Sequence, residues 1–130
     1  MKYLIDNIRM NTIYSLVLLF SMACSNNNVG IHQLYGTYGY NKENYIDTIQ
    51  LLKDSSYIHT HQTTKGTIYR NEGTWKFDSK LREVVFDDFI FYNEQGGDVP
   101  GFWIPKVKNI ENEIRLIYAS EENLYYRKLK

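Results

Sequence analysis

An all-β domain is what this chain predicts: a small antiparallel meander curled into a half-barrel or barrel, with a two-sheet sandwich as the alternative. Three observations lead there. From about Leu34 onward, apolar and aromatic side chains recur at every second position in short runs, the period of a strand with one face buried. Brief polar segments such as "KDSS" (Lys53 to Ser56) separate the runs, and these residue types make turns. No window sustains an apolar period of 3.6 residues beyond the N-terminal stretch. Curling a sheet of this size buries one face and removes open edges.

The elements follow in order. "YIDTIQLL" is rich in apolar and β-branched residues, with Ile46, Thr48, Gln50 and Leu52 sharing a face. After the "KDSS" turn comes "YIHTHQT", in which Tyr57, His59 and His61 alternate with Ile58, Thr60 and Gln62, so the two runs form a hairpin. "KGTIYR" reads as a third strand, "NEG" (Asn71 to Gly73) as its turn, and "TWKF" as the return, with Trp75 and Phe77 on one face. "FDSK" then bends into "LREVVF". In "FDDFIFYNE" the adjacent acids Asp87 and Asp88 interrupt an apolar run, which implies a bulge or a break into two strands, with Phe89 and Phe91 on one face and Ile90 and Tyr92 on the other.

"NEQGGDVPG" (Asn93 to Gly101) has the composition of a loop. "FWIPKVKNI" resumes an extended pattern in which Pro105 implies an edge or a bulge. "ENE" (Glu111 to Glu113) turns into "IRLIYAS", and "EEN" (Glu121 to Asn123) into "LYYRKL".

The chain carries 15 basic and 15 acidic residues, for a formal net charge of 0. The basic excess that nucleic-acid binding exploits is missing, so no nucleic-acid partner is expected. No cofactor fingerprint stands out either: there is no phosphate-binding "GxxxxGK" loop and no dinucleotide motif. His59 and His61, two apart on one strand, share a face and are two potential metal ligands, but a zinc site needs three or four convergent ones. They are expected on an exposed strand face, with no metal. Asp87 and Asp88 point opposite ways in an extended strand and make a poor acid/base pair. No catalytic set is assembled, and a His-dependent enzyme is kept only as a lesser alternative.

The aromatic content, 12 Tyr, 6 Phe and 2 Trp, is high for a small core. Tyrosine supplies rigid apolar area with one polar handle, the chemistry of binding surfaces as well as of sheets. Tyr92, Gly96, Gly97, Phe102 and Trp103 are therefore the candidate ligand- or partner-binding residues. They flank a glycine-rich loop that would hold Trp103 at the sheet edge without burying it, whereas Trp75 should point inward.

The N-terminus speaks to location. Lys2 and Arg9 precede the apolar "IYSLVLLF" (Ile13 to Phe20), then Ser21, Met22 and Ala23 lead to Cys24, the single cysteine. Charged, apolar and small segments in this order make an export signal, too short for a comfortable membrane span. A polar "SNNNVG" follows. One cysteine makes no internal disulfide.

"FSMAC" resembles the lipobox of bacterial lipoproteins. That resemblance implies cleavage after Ala23, lipidation of Cys24 with palmitate among the acyl chains, and residence in the cell envelope, at the outer membrane. Residues 1–23 are then a signal peptide, 24–33 the lipidated cysteine and a polar tether, and 34–130 the β domain. Within that domain "LYGTY", "LLKDSSYIHT" and "EGTWKFD" resemble small lipocalin-like lipoproteins through Gly36 and Tyr38, Tyr57, and Gly73 and Trp75. The expectation is a membrane-anchored, non-enzymatic binding or inhibitor-like module with a protein, peptide, glycan or small apolar partner. A lipocalin-like carrier of an apolar ligand is the alternative.

Overall fold

The computed structural model describes residues 28–93, 97–118 and 124–130. The described residues form one short helix, α1 (Ile31–Leu34), and nine strands: β1 (Gly36–Lys42), β2 (Tyr45–Leu51), β3 (Ser56–Thr63), β4 (Ile68–Asp78), β5 (Glu83–Tyr92), β6 (Asp98–Trp103), β7 (Lys106–Ile110), β8 (Glu113–Ile117) and β9 (Tyr125–Lys128). Each strand pairs antiparallel with its neighbours. Eight of them close a barrel, β1 through β5 and then β7, β8 and β9 back to β1, while β6 adds to β5. The expected curled meander is thus a closed barrel and not a two-sheet sandwich. Closure rests on two short seams. Val84 N–H donates to the Pro105 carbonyl at 3.1 Å and Val107 N–H to the Arg82 carbonyl at 2.8 Å, which joins β5 to β7. On the other side Leu129 N–H donates to the Thr37 carbonyl at 2.7 Å beside the β1–β9 ladder.

Local chemistry sets the register. In the turn between β2 and β3, the Asp54 carboxylate accepts from Ser56 N–H at 3.0 Å and from its hydroxyl at 2.5 Å. These bonds stabilise the ionised form and hold the Asp54 carboxyl below its ordinary range. The turn pairs Leu51 with Tyr57, and the same register carries Ile49 opposite His59 and Asp47 opposite His61. Asp47, Ile49 and Leu51 face inward; Ile46 and Gln50 face solvent. Because a strand has period two, that choice places His59 and His61 in the interior as well. They are 1% and 0% exposed, so the expected exposed face is corrected to a buried one.

β4 runs unbroken for 11 residues, and "NEG" is strand, not a turn. Asn71 is buried. Gly73 lets the chain pass close to β5: a Cβ there would come 2.5 Å from the Asp87 carbonyl oxygen and 2.7 Å from the Tyr57 ring. Opposite it, β5 carries the bulge that the paired aspartates imply. The β5–β6 register shifts between Phe86 and Phe89, and Asp88 has φ 57°.

Two other expectations change. The proposed loop through Gly101 is strand from Asp98, because Val99 to Gly101 pair with Phe91, Ile90 and Phe89. Ahead of Leu34, α1 and Val29 pack on the core where a polar tether was expected.

With strands alternating in direction, α1 and the turns at 52–55, 79–82 and 111–112 share one end of the barrel. Here Leu34, Tyr38, Leu51, Trp75, Phe86 and Leu116 are at most 2% exposed. Each such side chain contributes on the order of 1.5–3 kcal/mol by leaving water. Their polar atoms are paired: Tyr38 donates to the Leu34 carbonyl at 2.8 Å and the Trp75 indole N–H to the Leu52 carbonyl at 3.1 Å. The opposite end, with the turns at 43–44 and 64–67 and the paired residues Tyr92 and Asp98 of β5 and β6, is the mouth described next.

Candidate functional site

Four strands place polar side chains inside the upper half of the barrel. Asp47 of β2 is 6% exposed, and its Oδ1 lies 2.7 Å from His61 Nδ1 and 3.5 Å from His59 Nε2, both on β3. Asp47 Oδ2 accepts from the Tyr126 hydroxyl of β9 at 3.0 Å. Burial, and the Asp47 charge beside it, push the Tyr126 phenol well above its ordinary range, so it stays a donor.

A second chain of bonds crosses from β4 to β5. Asn71 Nδ2 donates to the Asp88 carbonyl at 3.0 Å and to the Tyr57 hydroxyl at 3.2 Å, and Tyr57 donates to the Asp87 carbonyl at 3.0 Å. The bulge explains their presence. β4 and β5 pair directly only from Trp75–Phe86 down to Asp78–Glu83, so above the bulge side chains replace the ladder.

These bonds assign hydrogens. A carbonyl only accepts, so the Asn71 atom on the Asp88 carbonyl is the amide nitrogen, and the Asn71 oxygen faces His59 Nδ1 at 3.3 Å. Nδ1 of His59 therefore carries a hydrogen. His61 Nδ1 carries one too, toward Asp47. Nε2 of both rings has no hydrogen-bond partner among the described residues.

Aromatic rings cover the cluster. His59 stacks on Phe89 with centroids 4.6 Å apart and planes 15° apart. Tyr92 lies 5.4 Å from each imidazole, and Tyr45 is 4.8 Å from His61. Tyr40 and Tyr118 stack at 6.3 Å with planes 6° apart. Burial raises the phenols of Tyr92 and Tyr118, with the Asp47 charge adding to both shifts. Inside this lining is a cavity of about 20 Å³, bordered by Asp47, His59, Phe89, Phe91 and five tyrosines, Tyr40, Tyr45, Tyr92, Tyr118 and Tyr126. Tyr118, 40% exposed, stands between it and solvent.

The residues singled out in the sequence are not brought together. Tyr92 is half-buried over the histidines. Gly97 closes the β5–β6 hairpin: its N–H donates to Asn93 Oδ1 at 2.7 Å and its carbonyl accepts from Asn93 N–H at 2.9 Å. Phe102 is 76% exposed on the outer wall. Trp103 is 6% exposed, which corrects its expected display at the sheet edge. Paired across the ladder with Phe86, it faces inward, stacks on that ring at 5.1 Å and donates its indole N–H to the Tyr118 carbonyl at 3.2 Å. Gly96 and Cys24 lie outside the described residues.

Asp47 and Asn71 were missed. The available signal was parity, since Asp47 alternates in step with Ile49 and Leu51. Among the described residues no group of three or more His, Cys, Asp or Glu side chains is placed to hold a metal ion, and no helix is long and apolar enough to cross a membrane. A scan against protein-family models matched none, and searches of curated proteins and of solved structures found no match.

Proposed function

We propose that this chain is a lipid-anchored envelope lipoprotein whose barrel is a binding or inhibitor-like module for a protein, peptide or glycan partner. The observation that carries the choice of partner is the filled interior. Ring against ring leaves a cavity of about 20 Å³ at the mouth, too small for an enclosed apolar ligand of the hundreds of ångströms cubed that such sites usually hold. Recognition then falls to the mouth and the outer wall, where Tyr118 and Phe102 present aromatic surface. The charged, apolar and small order ahead of Cys24 supports the anchor, and the described chain enters the barrel at the α1 end, opposite the mouth. His59 and His61 are held by Asn71 and Asp47 in the buried network, which disfavours a His-dependent enzyme.

The test uses membranes from cells making the full chain. Intact-mass analysis should show loss of residues 1–23 and added acyl mass. A photo-crosslinking residue at Tyr118 or Phe102 should give a discrete adduct, and one at Lys53, by the α1 end, should give none. A Cys24→Ser protein retained in the membrane with unchanged mass would remove the anchor. Saturable binding of a fluorescent fatty acid would favour the carrier instead.

A further inference from the structure

We infer that the mouth is a receptor for a primary ammonium group on a narrow alkyl stem. This deepens the binding-module reading and rests on it. Four observations converge. First, His59 Nε2 is 1% exposed, has no hydrogen-bond partner among the described residues and lies 3.5 Å from Asp47 Oδ1. In the Nδ1–H tautomer two acceptors face one another, and both residues border the cavity. In that form a group with at least two hydrogens satisfies both, because a buried acceptor left unpaired is costly.

Second, Asp47 is a buried acid whose contacts are two imidazoles and a phenol, with no lysine or arginine among them. A cationic donor would neutralise it; water would not. Third, Tyr40, Tyr45, Tyr92 and Tyr118 wall the cavity. The negative faces of such rings attract cations, and Lys42 already holds its ammonium 6.0 Å from the Tyr45 ring centre. Fourth, the volume of about 20 Å³ suits one small polar head and excludes a tetra-alkylated one. A lysine side chain of a protein partner and a free alkylamine share this chemistry.

The experiment follows the imidazole ¹⁵N and ¹³C resonances of His59 in the full chain, held in detergent micelles. The probes are n-butylammonium, the tripeptide Gly-Lys-Gly with its N-terminus acetylated, and tetramethylammonium. Saturable shifts at His59 with either primary ammonium, and none with tetramethylammonium, are expected. Response to n-butylammonium alone would assign the site to a free amine, and response to the tripeptide assigns it to a lysine side chain.

Asp47→Asn should weaken binding about ten-fold or more, since a charge-assisted bond is lost. Should that variant fail to fold, Tyr118→Leu keeps the apolar bulk and removes one ring face, and should still weaken binding several-fold. Three results would overturn the inference: no saturation by either amine, equal response to tetramethylammonium, or a doubly protonated His59 ring that ignores all three probes. A discrete cross-link at Phe102 together with a silent His59 would leave the binding module standing and sink only the ammonium site.

Discussion

At the α1 end, β1, β2 and β4 turn Tyr38, Leu51 and Trp75 inward; a few residues along, the same strands turn in Tyr40, Asp47 and Asn71. β3 changes likewise, from Tyr57 to His59 and His61. One alternation thus fills both halves of the barrel, with opposite chemistry. In the lower half each ring gains from leaving water and its single polar atom finds a backbone carbonyl. In the upper half Asp47, His59, His61 and Asn71 bring more polar atoms than the backbone can satisfy, so they must satisfy one another. That network survives only where geometry is right, and it leaves two imidazole nitrogens without partners among the described residues. The α1 end spends its interior on packing. The mouth carries chemistry that packing alone does not require.

The hardest blow to this comparison would come from the two tryptophans. Trp75→Ala removes a fully buried aromatic from the α1 end and should cost about 3–5 kcal/mol, read as a large fall in the urea midpoint. Trp103→Ala should cost a similar amount, because Trp103 is 6% exposed and stacked on Phe86 in spite of its glycine-rich neighbourhood. A Trp103→Ala midpoint equal to wild type would return that side chain to the surface and dissolve the packed boundary between the halves.

Tyr57→Phe is the sharper and smaller probe. It preserves the ring and its edge-on contact with Phe86 at 5.0 Å while deleting the hydroxyl that joins Asn71 to the Asp87 carbonyl. A loss of about 1–3 kcal/mol is expected from the stranded carbonyl, with faster amide exchange in Ile68–Thr74 of β4 than near Trp75. No change in exchange would mean that the side-chain bridge does not hold the upper seam.

The smallest expected effect is Phe102→Ala. With 76% of Phe102 in solvent, stability should move by no more than about 0.5 kcal/mol while a cross-linked partner on the outer wall is lost. A substantial fall in midpoint would show Phe102 supporting β6 instead of displaying itself.

What the sequence determined by itself is the periodicity and its consequences. Alternating runs and short turns suffice for an all-β antiparallel meander, and the paired aspartates suffice for a bulge or a break, because both depend on neighbours in the chain. Trp75 in the core was legible for the same reason. The sequence could not choose the inward face of "YIDTIQLL", since both faces carry apolar residues, and that choice decided everything about His59, His61 and Asp47. Nor could it see that Asn71 and Gly73 continue a strand, because their reason for being there, the Asp87 and Asp88 carbonyls, is supplied by β5 across the seam. Trp103 was misread because a local loop composition was outweighed by its ladder partner Phe86. Only closure of the barrel brought β2, β3, β4 and β9 to one point, and burial of a carboxylate with two imidazoles is tolerable only where four strands converge to satisfy it.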